Sequence, residues 1–467
     1  MKSRCFKSAT MAIATMSAAF AYGAGFALYE GSTTGTALGG AVMGKAVDAS
    51  ANFYNAATLS DFTGTVVTVG FVTEHPRANS YVDGHYAHKM NAGRFMLPHF
   101  YVAQPLPHGF TFGLGFAPEF GLGTHYNQNW ELSWNTRQTT VMGLSLNPNV
   151  AYAINDKWSV AAGLRFMYFS FDQYSSPWAA QNGSYYGRMR NHLKGDNGML
   201  DWGWQIGTRY KFTDRISAGV QYRSYIDTKV KGYTHTRVKS VDYADAEAQA
   251  RAAADAQLAN SPYAAYAGLP IYEQIRQQAY QQAYATAHQT VDGSVAGAAK
   301  GNTGSASAKI RLPQSITAGV NWDVTDTVHL GSALTWTQWS SMKEINFHLP
   351  SGVKTTNLSW HDVFRVGFGG SWDFHDNFSL MGSYVYDIDP CSRRKNNGST
   401  MLPPGDRHIG NVGLLWHWKQ FELSLSYGLV YMCRDSLTLT DPLGEDRKFK
   451  TKRGVSHQVG LSLSYRF

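Results

Sequence analysis

The last fourteen residues, GVSHQVGLSLSYRF (454–467), carry the signature from which the fold follows. Alternate positions from His457 run His457, Val459, Leu461, Leu463, Tyr465 and Phe467, and between them stand Gln458, Gly460, Ser462, Ser464 and Arg466. One set is apolar or aromatic, the other small or polar. A two-residue period places the sets on opposite faces of a strand. The chain therefore ends on a strand with one oily face and a terminal aromatic.

The same alternation recurs in TFGLGFA (111–117), WSVAAGLRFMY (158–168), WGWQIGTRY (202–210), VFRVGFGGSW (363–372) and FELSLSY (421–427). A soluble β-sandwich also alternates, so the second face decides. Arg165, Arg209, Arg223 and Arg365 share the polar side, and strand after strand closes on Trp, Tyr or Phe. Polar inside, apolar outside and aromatic at the ends is the pattern of a transmembrane barrel. Composition agrees: 14% aromatic against only 16% charged is unusual for a soluble enzyme. The +8 net charge comes from scattered Lys and Arg, so nucleic acid is not an expected partner.

The N-terminus sets the compartment. Lys2, Arg4 and Lys7 precede a short apolar run, and Ala21 and Gly23 stand at −3 and −1 before Ala24. Residues 1–23 are expected to be a secretory signal peptide, with a cut after Ala21 as the alternative. No run of about 18 apolar residues follows, so a span must be made by strands. Cys5 leaves with the signal. Cys391 and Cys433 remain in an oxidising compartment, where a disulfide is open to them.

Short turns (INDKW, FTDRI, DVTDT, DFHDNF, HWKQF) alternate with long polar stretches at 74–92, 125–137, 173–200, 235–306, 349–358, 388–406 and 433–453. Short turns face the periplasm in such barrels. Counting up and down predicts an all-β, antiparallel barrel of about fourteen strands over residues 62–467, embedded in a bacterial outer membrane. Within the loop 235–306, residues 241–290 are rich in Ala and Gln, both good helix formers. Pro262 and Gly268–Pro270 divide them into two expected helices of about 15 residues. VDGSVAGAAKGNTGSASAK (291–309) looks like a flexible linker. The loop is either a solvated decoration or a lid.

Residues 24–61 barely alternate. Small residues dominate, with Gly31, Gly35, Gly39, Gly40 and Gly44 among them. A fourteen-strand lumen is too wide for wall side chains to fill, so this segment is expected to be a plug.

AGFALYEGSTTGTALGGA, SANFYNAATLSDF, RLPQSITAGVNWDVTDTVHLGSALTWTQWSSM, WHDVFRVGFGGSWDFHDNFSLMGSYVYDIDP and LPPGDRHIGNVGLLW stand in an order that resembles the FadL/TodX family of outer-membrane transporters. The resemblance covers nearly the whole mature chain. It implies a plugged fourteen-strand barrel and passive uptake of long-chain fatty acids or other hydrophobic molecules, with exit sideways where one strand is kinked. An aromatic hydrocarbon channel is the alternative cargo reading; a general porin or an adhesin is the alternative class. Asn55-Ala56-Ala57 lacks the proline of the family's Asn-Pro-Ala plug motif, and His361 stands where the family often has lysine.

The expected kink lies in GFAPEFGLGTHY (115–126), because Pro118 cannot donate to a ladder and Gly121 and Gly123 follow. Phe116, Pro118, Phe120 and Gly121 are thus expected at the gap, and Phe26, Asn55, Ala56 and Ala57 at the ligand or its gate. A buried carboxylate needs a partner. Strand parity turns Arg165, Arg209, Arg223, His361 and Arg365 to the lumen, and Arg365 with His361 is the pair expected for the headgroup. No Gly-x-Ser-x-Gly elbow is present, and no enzyme, cofactor or metal is called for. A monomer is expected, with membrane lipid and the barrel insertion machinery as partners.

Overall fold

Alternation becomes closure in the computed structural model, which describes residues 25–91, 93–181, 183–198, 200–391, 399–402 and 405–467. The signal peptide expected at 1–23 lies outside them. Among the described residues, twenty-two strand segments form one sheet. They join end to end into fourteen antiparallel spanning strands, apart from a short hairpin arm at Trp178–Gln181. The first strand (Val66–Val82) pairs with the last (Asp446–Arg466) from Val66↔Arg466 to Val82↔Phe449, so the sheet closes on itself. Closure matters because an unpaired N–H or C=O facing lipid is costly.

The period-two pattern sorts itself as expected. On the sixth strand (Ser184–Asp196, continued by Asp201–Lys211), Trp202, Trp204, Ile206 and Tyr210 are exposed, while Gln205 and Arg209 are buried. Trp202 to Tyr210 covers eight steps, roughly 26 Å along the strand at ~3.3 Å per residue. Nine residues fall within the roughly 9–11 that a tilted strand needs to cross the hydrocarbon layer. At the end with short turns, stacked and tilted rings run from Phe374 and Phe378 through Trp416, Trp418, Phe421 and Tyr465 to Phe467. Phe467, the terminal aromatic, is the last ring of this girdle.

Residues 25–62 lie inside the barrel and are nearly all buried. They form a helix at Thr33–Ala37, capped by Ser32 Oγ accepting from Gly35 N, a turn of helix at Ala51–Tyr54, and a 3-10 segment at Ala56–Asp61. Wall glycines let this backbone approach. A Cβ at Gly219 would come within 2.0 Å of the Met43 carbonyl oxygen, and one at Gly331 within 2.1 Å of that of Ala41.

Outside, the Ala/Gln-rich loop forms two helices, Ala244–Ala259 and Pro270–Gly301. The second has 32 residues, twice the expected length, and it absorbs the first part of the expected linker. The reason is a stripe at four-residue spacing. Val291, Val295 and Ala299 pack on Ala179 and Met189, while Gly293, Gly297 and Gly301 face open space. The remainder of that stretch is strand, Gly304–Leu312. The strand Ile226–Val241 likewise takes in the first residues of the expected loop.

Candidate transport site

The third strand (Phe110–His125) changes character half-way. Up to Phe116 it alternates, with buried Thr111, Gly113 and Gly115 between half-buried neighbours. From Ala117 to Thr124 eight consecutive residues are buried. A strand buried on both faces has left the lipid boundary and moved into the barrel.

Pairing shows how. With its neighbour Phe95–Pro105, part of the second strand, the ladder runs from Pro105↔Thr111 to Phe100↔Phe116 and stops. Neither chain ends there. Leu97 and Met96 continue on one side, paired to the first strand, and residues 117–125 on the other, paired to the fourth strand (Gln138–Ala153) as far as His125↔Gln138. The wall is therefore split between the second and third strands above Phe116. A bulge lies at the split, where the register with the fourth strand slips between Pro118 and Phe120. Proline brings no donor to the lost ladder, and the bulge turns the chain inward.

The extra residue of the bulge is Glu119, 3% exposed. Its carboxylate meets the guanidinium of Arg165, itself 2% exposed, and accepts from Asn147 Nδ2 at 2.9 Å. Arg165 Nη1 also donates to the Ser224 carbonyl at 2.9 Å. Parity thus turns Arg165 to the lumen, but as the bulge's counter-ion.

The free edge of the third strand is covered by the plug. Leu28 N donates to Glu119 O and Gly121 N donates to Phe26 O, each at 2.8 Å, and Ala27 bridges Phe120 in antiparallel sense. Residues 26–28 act as a short substitute strand. This seats Phe26 in a cluster of rings, with centroids 4.9 Å from Trp339, 5.8 Å from Phe120, 5.9 Å from Trp360 and 6.4 Å from Phe169. The cluster belongs to an apolar core on the long-loop side of the plug, roofed by Tyr126, Trp130 and Leu132. Trp339 and Trp360 are 0% and 3% exposed, and their indole Nε1 atoms find no acceptor among the described residues.

The remaining expected residues fall elsewhere. Asn55, Ala56 and Ala57 belong to a separate core formed by the plug and the lower wall. Asn55 Nδ2 donates to Met43 O (2.7 Å) and Thr208 O (3.1 Å), and its Oδ1 accepts from Ala57 N (3.2 Å). Ala56 N donates to Gln221 Oε1 at 2.9 Å, and Ser159 Oγ donates to Ala57 O at 2.9 Å. They are anchors of the plug, not lining of the ring cluster. The missing proline has its reason here, since Ala56 uses an N–H that proline lacks. Phe116 is half-buried at the split and stands opposite Phe100.

Arg365 is buried, donates to Gly39 O at 3.2 Å and lies 4.5 Å from the ring of Tyr29, which packs against the ring-lined core. It sits one side chain away from the ring-lined core. His361 precedes its strand (Val363–His375) and is exposed, so the structure does not bring it to Arg365. Arg209 pairs with Asp61 at 2.7 Å, and Arg223 stacks 4.3 Å from the Phe53 ring; both fix the plug. Cys391 and Cys433 are not joined in a disulfide, because Cys391 is turned into the apolar core. The two tryptophans escaped the sequence reading because neither lies in a strand: Trp339 opens a 3-10 turn after Val328–Thr337, and Trp360 stands in the link between Gly352–Asn357 and Val363–His375, where alternation marks no face. Their signal was their place in the stretches that resemble the family.

Residues 14–467 match the family model described as outer membrane protein transport protein (OMPP1/FadL/TodX). The long-chain fatty acid transport protein of Escherichia coli O6:H1 is 23% identical over 497 residues, covering 99% of this chain and 98% of that protein. The 47 kDa outer membrane protein of Pasteurella multocida is 23% identical over 468 residues, covering 95% and 94%. Among solved structures, a Pseudomonas aeruginosa FadL homologue superposes with a TM-score of 0.74 at 18% identity, covering 95% of this chain and all of that one. The Pseudomonas putida toluene transporter TodX gives 0.65 at 14% identity, covering 95% and 99%. The chain belongs to the OMPP1/FadL/TodX family of outer-membrane transport proteins, which carry fatty acids and hydrophobic aromatic compounds across the outer membrane through β-barrels.

Proposed function

We propose that the ring-lined core around Phe26 is the cargo site and that the split between the second and third strands is its exit into the membrane. The observation that carries this is the ladder ending at Phe100↔Phe116 while both chains continue, with the freed edge stitched to the gate residue Phe26 itself. Each CH₂ moved from water to hydrocarbon is worth about 0.8 kcal/mol. Sideways release therefore keeps an apolar chain out of periplasmic water. The process is passive and involves no catalysis.

Long-chain fatty acid is the reading we favour for the cargo. The two indole N–H groups of Trp339 and Trp360 lack acceptors in an otherwise apolar site. Buried donors are nearly always satisfied, and a ligand oxygen supplies what a bare hydrocarbon does not. Arg365, beneath Tyr29, adds positive charge near the floor. Aromatic hydrocarbons are the second reading, favoured by the rings of Phe120, Phe169, Trp339 and Trp360 around Phe26. The protein works as a monomer, and exposed Phe467 offers its ring to the insertion machinery.

Deleting Glu119 tests the exit. It removes the bulge residue and lets the ladder continue. Uptake of labelled oleate into proteoliposomes should fall at least tenfold without any leak of sugars. Unchanged uptake would sink the lateral route.

A further inference from the structure

Above the aromatic band, the outer wall of the barrel turns strongly basic on one side. The strands concerned are Ser184–Asp196, Ile226–Val241 and Gly304–Leu312. Their inward residues are apolar or small: Val230, Ala306, Ala308 and Ile310 join the ring-lined core, and Leu193 packs against it. The residues between them point out, on the face that carries exposed Trp202 and Trp204 lower down. Lys229, Lys231, Arg237, Lys309, Arg190 and Lys194 are all exposed there.

Their register is the informative part. Lys229 stands directly opposite Lys309, Arg237 opposite Arg190, and His235 opposite His192. Directly opposed like charges in an antiparallel pair destabilise it. Two of these rungs, Lys229 with Lys309 and Arg237 with Arg190, one on each of two adjoining ladders, are not relieved by acids, whereas on the third His192 pairs with Asp172 and His235 accepts from Arg237 Nε. Asp227 is taken by Arg311 and Asp172 by His192, and Asp196 and Asp172 stand opposite Lys231 and Lys194, away from these two rungs. Among the described residues, no carboxylate lies within 4.0 Å of the charged nitrogens of Lys229, Lys309, Arg190 or Arg237. Nearby, burial together with Arg188, Arg190 and Arg137 pushes the Lys239 ammonium below its usual range. Arg137 has a buried Nε without an acceptor among the described residues.

We propose that this face binds the phosphate groups of outer-leaflet glycolipid, which sit between the opposed cations and clamp the barrel in the leaflet. The side chains face away from the lumen, so the occupant is membrane lipid and not cargo. They begin just beyond Tyr225 and Trp202, where an aromatic belt places the headgroup layer. Phosphates suit the rungs because a multiply charged anion can accept from two cations 4.5–5.5 Å apart at Cβ.

The test uses the full mature protein in neutral detergent, titrated with bisphosphorylated lipid A, its monophosphoryl form, and phosphatidylcholine. Native mass spectrometry reads the binding. Wild type should bind lipid A at least tenfold more tightly than the monophosphoryl form, with an affinity that falls as salt rises. The variant Lys229→Gln/Lys309→Gln/Arg190→Gln/Arg237→Gln should lose at least tenfold for lipid A and keep its affinity for oleate. Equal binding of lipid A by variant and wild type overturns the proposal. So does a parallel loss of oleate binding, which would make the face part of the cargo path. If the variant does not fold, the wild-type ranking alone decides, and equal binding of lipid A and phosphatidylcholine rejects the clamp.

Discussion

Residues 26–28 and residues 55–57 lie in the same lumen and are equally buried, yet they are held in different ways. The first stretch is hydrogen-bonded to one strand, through its backbone at Glu119 and Gly121, and meets the other strands through apolar contacts alone. The second is pinned by side chains to three wall strands, at Ser159, Thr208 and Gln221. One end can leave by breaking two backbone hydrogen bonds, each worth about 1 kcal/mol net. The other cannot move without stranding buried polar groups on several strands. A plug that must both seal and open is thus divided into a fixed part and a movable part.

The sharpest way to break this contrast is Glu119→Ala. It leaves Arg165 buried without its carboxylate and should cost roughly 3–5 kcal/mol, seen in denaturant unfolding in detergent; a loss below about 1 kcal/mol would show that the ion pair does not hold the bulge. Asn55→Ala comes next, at about 3 kcal/mol, since it strands the carbonyls of Met43 and Thr208. Because it frees the fixed part, it should also let sugars swell liposomes, whereas Phe26→Ala should weaken oleate binding and keep the seal. The same leak from both variants would erase the distinction.

Ala56→Pro removes the N–H that Gln221 accepts and should destabilise by about 1–3 kcal/mol. A gain in stability would show instead that the fixed φ of proline outweighs the lost hydrogen bond. Arg365→Ala is expected to weaken oleate binding several-fold and to leave the matching alcohol unchanged, by isothermal titration. Equal losses would assign Arg365 to the plug alone. The smallest effect belongs to the cysteines: alkylation of unreduced protein should find two reactive thiols after denaturation, and a single disulfide by mass would contradict the position of Cys391.

Much of this was written in the alternation. The strand count, the polar lumen, the girdle and the bend at Pro118 follow from period two and from one residue without an N–H. What periodicity could not give was depth. Parity places Arg365 and Arg165 inside but cannot say that one lies against Tyr29 and the other against Glu119. Parity extended to His361 failed because the strand begins two residues later. The pairing of Asn55 with Phe26 as one switch failed for another reason. Sequence proximity within a plug says nothing about which wall strand each residue meets. The long helix escaped because glycines at three positions hid a stripe of Val291, Val295 and Ala299.

The borrowed edge between residues 26–28 and the third strand has a mechanical consequence. On the proposed reading, cargo entering the ring cluster pushes Phe26 aside, and Phe26 is part of the same three residues that cover the free edge of the wall. Loading and unlocking are then one event. No intermediate has the cargo seated and the side door still latched, and none has the door ajar with the seat empty. Selectivity follows from work done. A solute too small or too polar to displace an aromatic ring never draws the bolt, while the fixed part of the plug keeps the axial route shut throughout.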